Sequence, residues 1–405
     1  MKVAAIITEY NPFHNGHKYQ VDKIREMLGE DTAIIAIMSG NFTQRGELAI
    51  ADKTVRAKAA IECGVNLVLE LPFPYSMSSA EFFSKSGVAI ANAIGVVDYL
   101  VFGSESGNIS ELSDIASVML SSEYELTLDT LQNSPEYREY GYPELCEIAL
   151  SKVYGKEITR DFFSPNNILG IEYIKALTKL GSNIVPITVR REGAGYLDII
   201  NPMTEFQSAS AIREEVREGN ISALDFVPEK AKNIYLQALK EGKFPSDVSK
   251  LDLAIISFFR LNSPSADCNI HDAMGGLYNR LCELSAEATS ISNLTRLTET
   301  KKYTSSRIRR AIWNCYFGVT SSDVRSLPTY TQVLGMDTLG RSVLKRIKKE
   351  SNFPVITKPS SYKDLGDEVI SKKNLSNKAD AVYALALKVA NSGRFSLTFT
   401  PYVKE

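Results

Sequence analysis

Residues 3–28 read as a strand, a tight turn and a helix in direct succession, and no other stretch restricts the possible folds as strongly. The apolar run Val3–Ile7 stops at Thr8-Glu9, and residues 10–17 read Tyr-Asn-Pro-Phe-His-Asn-Gly-His. An amphipathic pattern then runs from Lys18 to Leu28. A turn at the carboxyl end of a buried strand, opening into a helix, is where an α/β protein holds nucleotide phosphates. The chain has three histidines, and two of them, His14 and His17, stand in this turn. Gly16 lets the helix start approach a ligand with no Cβ in the way. The helix start offers free N–H groups and the positive end of its dipole. Imidazoles at 14 and 17 can donate to α- and γ-phosphate oxygens as charge develops there. Two surface histidines at a helix N-terminus would be the bland reading, and the preceding strand and Asn-Pro-Phe turn weigh against it.

The same alternation continues through the first half. Strands are predicted at Val3–Ile7, Thr32–Met38, Asn66–Leu71, Asp98–Phe102 and Asn183–Val189. Helices are predicted at Lys18–Leu28, Asp52–Glu62, Ser79–Ile94, Ile109–Leu120 and Pro143–Val153. Short buried strands separated by helices form a parallel, doubly wound α/β sheet. Ligands in such sheets bind at the carboxyl ends of the strands, where the strand order reverses. After about Val227 the periodicity becomes mainly helical, at Leu251–Phe259, Ala273–Glu287, Ile291–Leu297, Ser305–Tyr316 and Val333–Glu350. A polar linker (Lys358–Gly366), a helix at Lys378–Asn391 and an extended run at Phe395–Thr400 complete the chain. We expect two domains, residues 1–245 and 246–405, the second mainly helical.

Composition excludes several classes. A hydrophobic content of 44% and a charged content of 23% are ordinary for a soluble globular protein. Five scattered cysteines without a C-x-x-C imply reduced thiols in a cytoplasmic protein, not a disulfide or zinc framework. Cys268 and His271 form a C-x-x-H without a second ligand pair, so no metal site is expected. The first apolar run is too short for a secretory segment, and no stretch reaches transmembrane length. No membrane or stable protein partner is indicated. The net charge of −2 conceals a segment, residues 296–349, with twelve Lys/Arg against three Asp/Glu. That local balance of +9 suggests a polyanionic partner.

A second motif reads Ser208-Ala209-Ser210-Ala211-Ile212-Arg213. Its serines are good N-caps, and a hydroxyl and guanidinium opening a helix can reach β- and γ-phosphates. Taken alone, capping is the simpler account; beside H-x-G-H it becomes the partner motif. The two motifs together resemble the H-x-G-H nucleotidyltransferase superfamily, with Ser210 where threonine is usual. Further segments narrow the resemblance to the bacterial tRNA(Met) cytidine acetate ligase family. These are Glu9–His17, Ser39–Glu47, Asp52-Lys53, Glu70–Pro74, Phe102–Glu105, Ser164–Gly170 and Lys301–Arg310.

The resemblance implies a nucleotidyltransferase-like ATP and acetate domain followed by a tRNA-binding region. It implies that acetate attacks ATP to give acetyl-adenylate, and that the acetyl group passes to N4 of the wobble cytidine of elongator tRNA(Met). His14, His17, Ser210 and Arg213 would then be catalytic. ATP would be bound by Ile7, Thr8, Glu9, Tyr10, Asn11, Pro12, Phe13, His14, Asn15, Gly16, His17, Lys18, Tyr19 and Gln20, with Gly103, Asn167, Arg190 and Arg191. Magnesium is expected with ATP as co-substrate. The tRNA-binding candidates are Lys301, Lys302, Arg307, Arg309 and Arg310, with Trp313 nearby as a surface for a stacked base. Asp52, Lys53 and Arg56 read either as a charge cluster on an exposed helix face or as an active-site contribution from Lys53. The alternatives are an H-x-G-H nucleotidyltransferase acting on a small metabolite and a non-catalytic RNA-binding protein. A class I aminoacyl-tRNA synthetase lacks support, because no K-M-S-K-S-like loop is present.

Overall fold

A computed structural model describes residues 1–155, 160–191, 207–265 and 268–405. In chain order its first part comprises β1 (Val3–Thr8), α1 (Asn15–Leu28), β2 (Ala33–Ser39), α2 (Lys53–Glu62), β3 (Leu67–Leu71), α3 (Ala80–Ala93) and β4 (Tyr99–Ser104). Next come α4 (Ile109–Met119), α5 (Ser122–Asn133), α6 (Tyr142–Tyr154), α7 (Pro165–Lys179), β5 (Val185–Arg190), α8 (Ala209–Arg217) and α9 (Glu229–Lys240). The parallel strands lie in the order β5-β4-β1-β2-β3. The order therefore reverses between β1 and β4, and that crevice is the expected ligand position. Alternate β1 residues feed two cores. Val3, Ala5 and Ile7 pack with α3, α4, α6 and α7, whereas Ala4 and Ile6 pack with α1, α2, α8 and α9. Both faces are covered, which is why these strands read as unbroken apolar runs.

The later chain comprises α10 (Asp252–Leu261), α11 (Leu277–Leu284), α12 (Ile291–Thr298), α13 (Ser305–Phe317), α14 (Ser321–Arg325), β6 (Thr331–Met336) and α15 (Thr338–Glu350). It ends with β7 (Val355–Ile356), α16 (Asp367–Tyr383), α17 (Phe395–Thr398) and β8 (Tyr402–Val403). Helices α10 to α13 and α16 enclose a third core, which reaches the N-terminal loops through Phe42 and Phe73.

Three expectations are corrected here. Val333–Glu350 is not one helix, because β6 joins the main sheet antiparallel to β3 and only Thr338–Glu350 is helical. Asp337 breaks the run: its carboxylate caps the new helix by accepting from the Gly340 N–H at 2.8 Å. The helix expected at Lys378–Asn391 lies earlier, at Asp367–Tyr383. Its buried face carries Lys373, Ser376 and Asp380, so polar residues occupy positions where apolar periodicity would be sought. The run expected to be extended at Phe395–Thr400 contains α17, and the strand follows it as β8, beside β6. Among the described residues no helix is long and apolar enough to cross a membrane.

The Asp52–Arg56 cluster is buried, which corrects the reading of an exposed helix face. Lys53 and Arg56 are fully buried, and Asp52 caps α2, accepting from the Thr54 and Val55 N–H groups. Arg56 donates to the carbonyls of Glu9, Ser39 and Ala51, which joins the loops after β1 and β2. Lys53 Nζ donates to Glu70 Oε1 and Asp380 Oδ2, both at 2.6 Å. Asn41 closes the network, accepting from the Lys53 N–H at 2.8 Å and donating to Asp380 Oδ1 at 2.8 Å.

Candidate active site

His14 is the N-cap of α1, with extended backbone, φ −129° and ψ 176°. Its Nδ1 accepts from the Gly16 N–H at 3.1 Å, and the His14 N–H donates to His17 Nδ1 at 3.2 Å. Two histidines thus form the reciprocal cap that Ser/Thr and Glu form elsewhere. Both rings accept at Nδ1, so when neutral each carries its proton on Nε2. The rings lie together, with centroids 3.9 Å apart, and Tyr10 meets His17 edge-on at 4.9 Å.

Burial, helped by the Arg191 and Arg213 charges, pushes His14 down to about 3. Burial, with His14 and Arg191, holds His17 well below the ordinary imidazole value. The site therefore presents two neutral Nε2–H donors near neutral pH, in a cationic field. A stability effect follows. His14 is protonated more readily in the unfolded chain than in the fold, so its contribution is complete above pH 6.5 and is lost as pH falls towards 3. By pH 5 the loss is about 2 kcal/mol. Urea denaturation at pH 7.5 and 5.0 should show it in the native protein, and His14→Asn should remove that part of the slope. Equal slopes in the two proteins would refute a neutral buried His14.

Arg213 comes from α8. It donates to the Asn11 carbonyl at 2.9 Å, to Ser210 Oγ at 3.3 Å and to Glu47 at 3.4 Å, while Ser208 caps α8 by accepting from the Ala211 N–H at 3.0 Å. Arg213 thereby locks the H-x-G-H turn to the loop after β2. Glu9 accepts from the Gln44 N–H at 2.8 Å and joins the same loop from the other side.

A cavity of about 370 Å³ occupies the crevice between β1 and β4. Of the expected ATP residues, Ile7, Thr8, Glu9, Tyr10, Asn11, His17, Gln20, Gly103 and Arg191 line it, with Arg213. A smaller recess beside it is lined by His14, Gly16, Tyr19 and Arg190, and shares His17, Gln20, Gly103 and Arg191. A Cβ on Gly103 would lie 3.3 Å from Cγ of Arg191, so the glycine leaves room for that aliphatic stem.

Pro12, Phe13, Asn15, Lys18, Ser210 and Asn167 do not line either space. Phe13 is core, its N–H donating to the Tyr235 hydroxyl at 2.8 Å. Lys18 pairs with Asp22 on the exposed side of α1. Asn167 is buried, and its Oδ1 accepts from the Glu105 and Ser106 N–H groups at 3.0 and 3.1 Å. It thereby holds the loop that follows β4. Sequence reasoning missed the apolar wall formed by Phe83, Phe102, Ile168, Leu169 and Tyr173; Gln44 and Arg45, in the loop at the carboxyl end of β2, also line the cavity.

Helix α13 grips this second loop from below. Arg310 donates to the Gln44 carbonyl at 3.4 Å, Arg309 to that of Arg45 at 3.0 Å, and Trp313 Nε1 to that of Gly46 at 3.0 Å. Gly46, at φ 71°, has Arg310 N only 2.6 Å from where a Cβ would sit, so the approach requires glycine. Arg310 also pairs with Asp272 at 2.7 Å, and Arg307 donates to the Asp272 and Met274 carbonyls. Lys301 and Lys302 are exposed. Trp313 is 1% exposed, which corrects its assignment as a base-stacking surface. His271 packs edge-on to Phe82.

Known proteins match this arrangement along the whole chain. A sequence model of the HIGH nucleotidyl transferases matches residues 1–396. The tRNA(Met) cytidine acetate ligase of Caldanaerobacter subterraneus subsp. tengcongensis is 37% identical over 402 residues, covering 96% of each chain. The chain belongs to the tRNA(Met) cytidine acetate ligase family. Its Clostridium botulinum (strain Kyoto / Type A2) relative of the same name is 38% identical over 371 residues, 88% of this chain and 89% of the other. A crystal structure of Thermotoga maritima TmcAL bound with alpha-thio ATP superposes with a TM-score of 0.91 at 32% identity, covering 100% of this chain and 99% of that one. That structure therefore shares the doubly wound sheet and the C-terminal helices of this chain.

Proposed function

We propose that the protein is an ATP-dependent ligase that activates acetate and acetylates elongator tRNA(Met). In the first step an acetate oxygen attacks the α-phosphorus of ATP, the bond to the bridging oxygen breaks, and pyrophosphate leaves. In the second, N4 of the wobble cytidine attacks the acetyl carbon. AMP leaves with the electron pair of the C–O bond, and N4 gives up a proton. The carrying observation is the pair of neutral Nε2–H donors on the α1 N-terminus, flanked by Arg191 and Arg213. Such fixed donors stabilise charge developing on phosphate oxygens, and adenylation needs no protein nucleophile.

In this reading His14, His17 and Arg213 serve the polyphosphate, with Ser210 holding Arg213 through its Oγ, while Arg190 and Arg191 close its side. Pro12, Phe13, Asn15 and Lys18 support the ATP site from behind, within the turn and the first turn of α1, and Asn167 by holding the loop after β4. Among the described residues no three or more His, Cys, Asp or Glu side chains gather as a metal site, so magnesium would arrive on the ATP phosphates. Residues 1–245 form the catalytic unit. Residues 246–405 carry the RNA surface, with Lys301, Lys302, Arg307, Arg309 and Arg310 at its centre. A tRNA substrate implies a cytoplasmic enzyme.

The test uses purified protein, labelled acetate, ATP and either elongator tRNA(Met) or an unrelated tRNA. Label should enter the wobble base only with ATP and the cognate tRNA. Nucleotide transfer independent of acetate would point instead to a metabolite nucleotidyltransferase, and tRNA binding without turnover to a non-catalytic protein.

A further inference from the structure

A second cavity, of about 700 Å³, adjoins the ATP site. One loop lines both: Gln44 and Arg45 face the first cavity, while Gly46, Glu47 and Leu48 face the second. Glu47 is the shared partition, one oxygen on Arg213 at 3.4 Å and the other on Arg309 at 3.5 Å. Burial alone would raise its pKa, yet Arg213, Arg309, Arg217 and Arg45 outweigh burial and keep it ionised.

The second cavity lies between α8 and α12, beyond the catalytic crevice. Its lining combines an apolar floor at Leu48 and Ile291 with five cationic side chains, Arg217, Lys250, Arg296, Arg309 and Lys388, against three acidic ones, Glu47, Asp247 and Glu299. Two of those cations are engaged, Lys250 on the Leu387 and Lys388 carbonyls and Arg309 on Arg45 and Glu47. Arg217, Arg296 and Lys388 make no side-chain hydrogen bond or ion pair with the described residues. A concave space of this volume, with an apolar floor and unpaired guanidiniums on two elements, suits unpaired nucleotides better than a neutral metabolite.

We infer that this cavity holds the unpaired loop nucleotides next to the reacting cytidine, with Arg217 and Arg296 on their phosphates and Glu47 as the partition across which the base meets the acetyl-adenylate. The assignment rests on the acetyl-transfer reading above. It puts the side chains that orient the acceptor base on α8 and α12, in addition to the Lys301–Arg310 segment.

The experiment compares the full-length enzyme with Arg296→Glu, Arg217→Ala and the double variant. Three readouts are needed: acetate-dependent ATP–pyrophosphate exchange without RNA, tRNA affinity across a salt series, and acetyl transfer to tRNA(Met). Both residues lie outside the ATP cavity, so exchange should stay within about twofold. The tRNA dissociation constant should rise about tenfold or more, and the salt slope should fall by about one for each phosphate no longer neutralised. Unchanged tRNA affinity and transfer in the double variant would overturn the cavity assignment alone. So would loss of exchange together with transfer, because the cavity would then belong to adenylation. A native enzyme that performs the exchange but labels no tRNA overturns the functional reading, and the cavity assignment with it.

Discussion

Replacing His17 with alanine is expected to lower acetate-dependent ATP–pyrophosphate exchange by about 10³-fold, the cost of removing one preorganised donor to a developing anion. The same variant should bind tRNA as the native protein does, because the basic surface on α12 and α13 does not touch the ring. Some loss of stability accompanies it, since the His14 N–H loses its acceptor at His17 Nδ1; a lost cap of this kind costs about 1 kcal/mol. His14→Asn separates the two effects. Asparagine is a good N-cap, so the helix start is retained while the Nε2–H donor is lost. Exchange should fall in His14→Asn with unfolding at neutral pH nearly unchanged. Full exchange activity in either variant would exclude the histidine pair from phosphate chemistry.

The second large effect is expected at Asp380, far from the phosphates. Asp380→Ala leaves Lys53 in the interior with Glu70 as its one ion-pair partner among the described residues, beside the buried Lys373, and an unbalanced buried charge of this kind costs about 3–5 kcal/mol. Burial pushes the Asp380 carboxyl up, whereas Lys53 and Lys373 outweigh burial and keep Glu70 below the ordinary carboxylate value. Asp380→Asn keeps partners for Lys53 and Asn41 in reach and should cost less. Urea denaturation reads both, and a loss under about 1 kcal/mol in the alanine variant would remove the ion pair from the list of what holds α16 to the sheet. Asn41 bonds to Asp380 and to the Lys53 N–H, so the variant should also raise the KM for ATP by loosening the Gln44–Glu47 loop.

The five parallel strands were legible to within two residues at either end, because buried strands between amphipathic helices leave an apolar run and an alternation of period that survive without tertiary context. The H-x-G-H turn was legible for the same kind of reason. Strand β6 was not: Val333 and Leu334 continue into the apolar positions of α15, and only Asp337 marks the break. Helix α16 was misplaced because its inward face is built from Lys373, Ser376 and Asp380, which look solvated until Lys53 and Glu70 are set opposite them. Arg309 and Arg310 read as a basic surface, and the structure turns much of that charge towards carbonyls of the loop after β2.

By itself the sequence determined the strand end, turn and helix start at which we propose that phosphate is held. That site is made within a few residues of chain, by a strand end, a glycine and two side chains that cap the helix they begin. Hydrogen bonds over so short a span form wherever the strand and helix form. Tertiary structure alone decided what the site can do. It brought Arg213 to the Asn11 carbonyl across about two hundred residues, set α13 beneath Gln44–Gly46, and placed a second basic cavity behind Glu47. It also lowered both histidines, since burial and neighbouring guanidiniums come from segments remote in the chain, and electrostatic shifts of that kind depend on packing that no local pattern records.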